Sequence, residues 1–449
     1  MESPTGNVVR PPRHRAAQRS HAVARWVGLA AVAVLASAGG LSYGLARHFQ
    51  GNVDTQNIDW LKEQAAAPRP DAARSPADPQ DAAAGKDLNI LVLGSDWRGG
   101  DNDTVTKDQA LQGNAQRSDT AMVMHVAANR KRIDVVSIAR DTMVALPSCQ
   151  LDKKGAVRTV ASSYAMFNEA FARGWDTAQA AGWDESKSFG AAAACTWQTV
   201  RDLTGIRLDD YVVVDFAGFD AMVDALGGVA VCVPQDVDDP QASHLELTAG
   251  WQTLQGKTAI SWARTRHGIA DGSDTARIGR QQALVGSLAN TFFAQSYVTD
   301  TPKMLKFVDA VTRSLHTSSD LGSLSFMTGL GFSLRNLDTA AITFRTVPWG
   351  ADPYDENRVV WQAAAAAALW DKIAHDKPLG DITTPKKSGT GATTSTAPSA
   401  TPTPKRTGGA GATGGKRLVT GMEGTPLSAA DLPTTKAQCD AALKAAGVG

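Results

Sequence analysis

Arg264-Thr-Arg266, followed by Asp274, Arg277 and Arg280-Gln281, sets four guanidinium groups and a carboxylate within residues 264–281. Arginine stays charged and donates through a planar fork that matches phosphate oxygens. So many like charges repel one another unless an anion sits among them. The chemistry suggested is capture of a group carrying two phosphates.

Spacing supports this. Ser273 or Asp274 follows Gly272 and precedes a run that reads as helix to about residue 294, so either can be its N-cap. On that helix Arg277, Arg280 and Gln281 lie near one face of the first two turns. The positive end of the helix dipole adds to the pull on an anion. Arg264 and Arg266 point the same way if their segment is extended. The plainer alternative is a solvated basic helix start that Asp274 merely caps.

These residues need a frame. Leu88–Leu93, Ala121–Val126, Ile133–Ile138, Tyr211–Phe216, Val229–Val233 and Ile342–Val347 read as strands, apolar and β-branched. Helix-like stretches lie near 189–204, 216–226, 256–263, 277–294, 302–316 and 358–375. The alternation implies an α/β fold, a central mixed sheet sandwiched by helices. The short polar connection Ala127–Lys131 makes the second and third strands a hairpin. With its turn between Asn129 and Arg130, Asp119 falls opposite Arg140, each just beyond its strand. Asp96 reaches the same end if the first strand runs parallel to Ile133–Ile138, and ligands of open α/β sheets commonly bind at strand ends. The competing reading of Asp119 and Arg140 is a surface ion pair.

The chain has 449 residues, with Lys plus Arg balanced by Asp plus Glu at 45 each, so no global field favours nucleic acid. The imbalance is local: residues 1–25 carry five arginines against Glu2, and the uncharged run Trp26–Ala46 is long enough to cross a bilayer as a helix. Cleavage as a signal peptide after Ala36-Ser37-Ala38 is the competing reading. The apolar run continues past that point, which favours an uncleaved anchor with the N-terminus inside and the remainder outside the cell. Residues 47–86, rich in Ala, Pro and Asp, read as a stalk. Residues 87–376 form the folded domain, 377–416 a Gly/Ser/Thr/Pro linker, and 417–449 a short tail. Of four cysteines, Cys195 and Cys232 are expected to pair, leaving Cys149 and Cys439 to tie the tail over the active end of the sheet.

NILVLGSD (89–96), RSDT (117–120), VSIARDT (136–142), FNEAFARGW (167–175), DDYVVVDFAGFDAMVDALGGV (209–229) and ARTRHGIADGSDTARIGRQQ (263–282) resemble, in order and spacing, the LytR-CpsA-Psr family of envelope phosphotransferases. The Cys-containing segments and the Gly-Ser-Asp of the arginine block look like its actinobacterial members. The resemblance implies a single-pass membrane protein. Its external domain would move a glycopolymer from a polyprenyl diphosphate carrier to peptidoglycan or another envelope acceptor through a phosphodiester bond. By motif position Asp96 and Asp119 would hold Mg²⁺. Arg117, Arg140, Arg264, Arg266, Arg277, Arg280 and Gln281 would surround the diphosphate. Arg140, Asp119 and Asp274 would act in catalysis, Asp274 by orienting arginines or lying near the metal. Asn168 fits the family's asparagine. One departure is Ala139, where the family motif has proline.

The residue types suit that work. Mg²⁺ is commonly held by one or two carboxylates with phosphate and water, and phosphoryl transfer relies on positioning and charge stabilisation. Apolar residues in Ala283–Phe293, Met304–Val311 and Phe326–Phe332 could line a slot for a polyprenyl tail or belong to the core. A non-catalytic, membrane-tethered lipid-diphosphate binder or envelope regulator is the alternative from another class. A nucleic-acid regulator is disfavoured by the neutral charge, the expected export and the lack of a helix-turn-helix pattern.

Overall fold

The computed structural model describes residues 43–64, 81–95, 116–151, 158–159, 164–239, 244–265, 274–294, 301–355, 357–380, 427–428, 433 and 435–445. The chain divides into two compact units, residues 1–51 and 52–449. Of the first, residues 43–51 are described and helical. Most of the expected anchor therefore lies outside the described residues, among which no helix is long and apolar enough to cross a membrane.

In the second unit the strands include β1 (Asp54–Gln56), β2 (Leu88–Ser95), β3 (Ser118–Val126), β4 (Ile133–Ile138), β5 (Asp210–Val214), β6 (Val229–Val233), β7 (Gly250–Leu254), β8 (Leu315–Ser318), β9 (Ile342–Thr346), β10 (Trp349–Ala351), β11 (Val359–Trp361) and β12 (Leu427–Ser428), besides six further two- or three-residue strands outside the main sheet among the described residues. Eight of them make one mixed sheet in the order β1-β8-β5-β2-β3-β4-β9-β12. β2 and β4 flank β3, each antiparallel to it, so they run the same way and end at the same edge. β9 is parallel to β4 and ends there too.

The helices are α1 (Asp59–Gln64), α2 (Glu169–Ala180), α3 (Glu185–Thr204), α4 (Phe216–Ala225), α5 (Gly256–Arg264), α6 (Asp274–Ala294), α7 (Thr301–Arg313), α8 (Leu324–Leu334), α9 (Ala363–Ala374) and α10 (Lys436–Ala445). Alternation along each strand sends residues to opposite faces. Leu91, Leu93, Val123, Val136 and Ile138 pack with Phe171, Trp197 and Leu369 of α2, α3 and α9. Met122, Val126, Ile133, Val135 and Phe344 pack on the other face with Val285 and Leu330 of α6 and α8. Local chemistry sets the helix ends: Asp184 caps α3 through the Lys187 N–H at 2.9 Å, and Gly205 closes it at φ 69°. A smaller core joins β6 and β7 to α4, α5 and α6 through Val229, Val231, Leu254, Trp262 and Leu284.

Several expectations need correction. Residues 47–86 are not all stalk, because β1 pairs with β8 at the sheet edge, and Ile58, Trp60 and Leu61 enter the main core. The run 302–316 ends as helix at Arg313 and continues into β8. Likewise 358–375 begins with β11, where Val359 and Val360 favour a strand. The tail is part of the fold: β12 adds to β9, and α10 carries the buried Cys439. The cysteines pair as Cys149–Cys195 and Cys232–Cys439, with Cα atoms 5.2 and 5.6 Å apart. The expected Cys195–Cys232 and Cys149–Cys439 bonds fail because Cys195, in the middle of α3, shares a cluster with Cys149 and Leu151. Cys232 instead alternates out of the β6–β7 core, opposite Trp251.

Candidate functional site

The site is assembled at the edge where β2, β4 and β9 end. β2 and β3 pair Gly94 with Thr120 and then Ser95 with Ser118, so Asp119 is one residue too many. Such a bulge leaves its extra residue outside the ladder and re-aims its side chain. The β3–β4 register, Ala121 opposite Ile138, continues to Asp119 opposite Arg140. Arg140 Nη1 donates to Asp119 Oδ1 at 2.7 Å. From α6, Arg277 Nη2 donates to the Asp119 carbonyl at 3.3 Å, and its Nη1 lies 3.8 Å from Oδ2.

Electrostatics agree with the geometry. Burial pushes the Asp119 carboxyl up and is the largest single influence on it. The charges of Arg277 and Arg140, the Arg140 hydrogen bond and the Arg264 charge outweigh it together, holding the group below the usual carboxylate range. Arg264 ends α5 and lies 5.0 Å over the ring of Phe216. It is thus helical, so the condition under which Arg264 and Arg266 would point the same way, an extended segment, does not hold at Arg264. Arg280 is buried and donates to the Thr265 carbonyl at the end of α5. Gln281 is buried beside it on α6. Arg117 immediately precedes β3, and its charge only partly offsets the burial that holds the Asp176 carboxyl of α2 above the usual range.

Arg117, Arg140, Arg264, Arg277, Arg280, Gln281 and Asp119 therefore gather at one sheet edge. Asp96 and Arg266 lie outside the described residues, and of Asp274 only the backbone, as the first residue of α6, is described. Asn168 joins the group: its N–H donates to the Arg140 carbonyl at 3.2 Å, and its Oδ1 is buried without a hydrogen-bond partner. It precedes α2 without capping it. An uncapped, buried acceptor is the kind of group a ligand satisfies.

Sequence reasoning missed three side chains. Gln282, next to the expected Gln281, donates to Ser137 Oγ at 2.9 Å and Thr346 Oγ1 at 3.2 Å, clamping α6 to β4 and β9. Asp141 lies between Arg140 Nε at 3.4 Å and Arg358 Nη1 at 3.7 Å. Asp141 was visible inside the VSIARDT stretch. Arg358 sits in no motif, and only the turn before β11 brings it here.

For a divalent cation the described donors are compatible but sparse. Among the described residues no cluster of three or more His, Cys, Asp or Glu side chains exists. Mg²⁺ needs only one or two carboxylates when phosphates complete its shell. Asp119 is ionised, with Oδ2 less tightly engaged than Oδ1, and it fits that role.

Among known proteins, the chain is 32% identical over 277 residues to the cell wall biosynthesis protein LcpA of Corynebacterium glutamicum, covering 59% of this chain and 51% of that one. It is 28% identical to the probable cell wall biosynthesis protein LcpB of the same organism, covering 64% and 60%. It is 27% identical to the polyisoprenyl-teichoic acid–peptidoglycan teichoic acid transferase TagV of Bacillus subtilis, covering 53% and 54%. The chain thus spans between half and three-fifths of the length of these curated relatives. The family model described as LytR_cpsA_psr matches residues 56–374, from the last residue of β1 to the end of α9. On that match, together with the fold and the arginine-ringed edge, the chain belongs to the LytR_cpsA_psr family.

Proposed function

We propose that this protein transfers a glycopolymer from a polyprenyl diphosphate carrier to peptidoglycan or a related envelope acceptor, forming a phosphodiester bond. The observation that carries this is the bulged Asp119, held ionised between Arg140 and Arg277 at an edge where Arg117, Arg264 and Arg280 also converge. A fixed carboxylate orients the guanidinium forks. The net positive charge left over suits a diphosphate.

In the reaction an acceptor hydroxyl oxygen attacks the phosphorus that bears the glycan. A new P–O bond forms, the bridging P–O bond breaks, polyprenyl phosphate departs with the electron pair, and the hydroxyl proton passes to that phosphate or to water. Arg277, Arg280 and the α6 N-terminus stabilise charge accumulating on that leaving group. Arg140, oriented by Asp119 and Asp141, holds the phosphoryl oxygens. A loose transition state asks little activation of the hydroxyl. Mg²⁺, held by Asp119 and the expected Asp96, would supply further neutralisation of the diphosphate. The name of TagV supports the substrate class, and the names of the two Corynebacterium relatives support a role in building the cell wall. We place Trp26–Ala46 as the single membrane anchor, with the site outside the cell where lipid-linked donors are met.

The test uses the full chain with a defined polyprenyl diphosphate sugar, Mg²⁺ and a peptidoglycan acceptor. Asp119→Ala and Arg277→Ala should each lower transfer by at least ~10²-fold, the usual loss when one preorganised charge-stabilising group is removed. Folding is checked by circular dichroism. Full rates in both variants would refute the assignment.

A further inference from the structure

β10 and β11 form a hairpin, Trp349 opposite Trp361, that leans on the site. Val359 bridges Thr142, its N–H reaches the Asp141 carbonyl at 3.5 Å, and Arg358 meets the carboxylate of Asp141 that Arg140 also meets. At the tip, Asp352 is a buried hub. Its Oδ2 accepts from the Tyr164 hydroxyl at 2.7 Å, and its Oδ1 accepts from the N–H groups of Tyr354 at 2.7 Å and Asp355 at 3.2 Å. The Tyr164 hydroxyl and the Tyr354 backbone are fixed this way, yet both rings face solvent: Tyr164 is 46% exposed and Tyr354 is 90% exposed.

That exposure is not explained by packing. Among the described residues the other exposed large apolar side chains are Tyr43 and Phe332, and each lies under an arginine of its own helix or of the residues that cap it. The two tyrosines show no such cover. Exposed aromatic rings set beside a charged site mark a recognition surface. A pyranose ring offers an apolar C–H face to stack on such rings and hydroxyls for neighbouring polar groups, here Arg358 and Asp355.

We propose that Tyr164 and Tyr354, with Arg358, seat a sugar ring of the acceptor peptidoglycan strand next to the diphosphate; this rests on the transferase reading above. The acceptor is favoured over the donor by direction. Displacement at phosphorus keeps attacking and leaving oxygens roughly in line. α6 leads from Arg277 and Arg280 to Val285, Ala289 and Phe293 on one face of the sheet, which suits the departing polyprenyl phosphate. The hairpin's Trp361 packs against the core of the opposite face. Behind the hairpin, Trp361 heads a cleft of about 480 Å³ with Trp370, Ala366 and Leu203, and the indole N–H groups of both tryptophans have no partner. Further rings of a polymer would extend that way.

The experiment compares the full chain with Tyr354→Ala, Tyr164→Ala and Tyr354→Trp. Transfer is measured while a peptidoglycan saccharide is titrated against saturating donor and Mg²⁺. The alanine variants should each raise the acceptor KM at least tenfold and leave the donor KM, measured at saturating saccharide, within twofold, whereas Tyr354→Trp should keep the acceptor KM near that of the unmodified chain. An unchanged acceptor KM, or a rise in the donor KM instead, overturns the proposal. If the wild-type chain transfers nothing, the transferase reading falls separately. Calorimetry with the saccharide alone then decides the surface: binding weakened tenfold in Tyr354→Ala supports it, and equal or absent binding in both chains refutes it.

Discussion

Asp119 owes its place to one surplus residue. Without the slip between Gly94 and Ser95, the ladder would fix its side chain by ordinary alternation; the bulge frees it to meet Arg140 and Arg277. Because the arginines hold its carboxyl below the usual range, its charge is present above that depressed value and lost only as the pH falls through it. The transfer rate should therefore show no acid limb from this group between about pH 8 and 5. An inflection in that window that Asp119→Asn removes would contradict the assignment. The Asp119–Arg140 pair was legible because hairpin register is arithmetic once the turn is placed. Arg358 was not, since its approach to Asp141 depends on a connection with no periodic signature.

At the scale of elements, long apolar strands announced themselves and short polar ones did not. Ile133–Ile138 is buried at every position and was found to the residue. β1 (Asp-Thr-Gln) and β8 (Leu-His-Thr-Ser) gain their strand state from neighbours, which local propensity does not report. Helix contacts set the other limit. Gly174 of α2 lies so close to α3 that an added Cβ would stand 2.5 Å from the Ala191 carbonyl oxygen and 2.7 Å from the Ala192 Cα. Alanine there would gain about 1 kcal/mol of helix propensity. Neither obstacle is a side chain that can swing aside, so overpacking should win and cost about 1–3 kcal/mol. Thermal melting of Gly174→Ala should show a lowered Tm; a Tm at or above wild type would mean the two helices separate freely.

The molecule as a whole is closed by its ends. β1 flanks one side of the eight-stranded sheet and β12 the other, so both outermost strands come from segments whose composition argued against structure. Pro, Ala and Gly enrichment hid the few residues, such as Trp60, Leu61 and Cys439, that anchor them. The bond between Cys232 and Cys439 makes residues 233–438 a covalent ring. A protease cutting once between 381 and 426 opens that ring but severs nothing: the nicked protein should migrate as one band without reductant and as two with it. Two bands under both conditions would show the sulfur link to be missing. One nick in that stretch would thus leave β12 and α10 fastened to the remainder through a single pair of sulfur atoms.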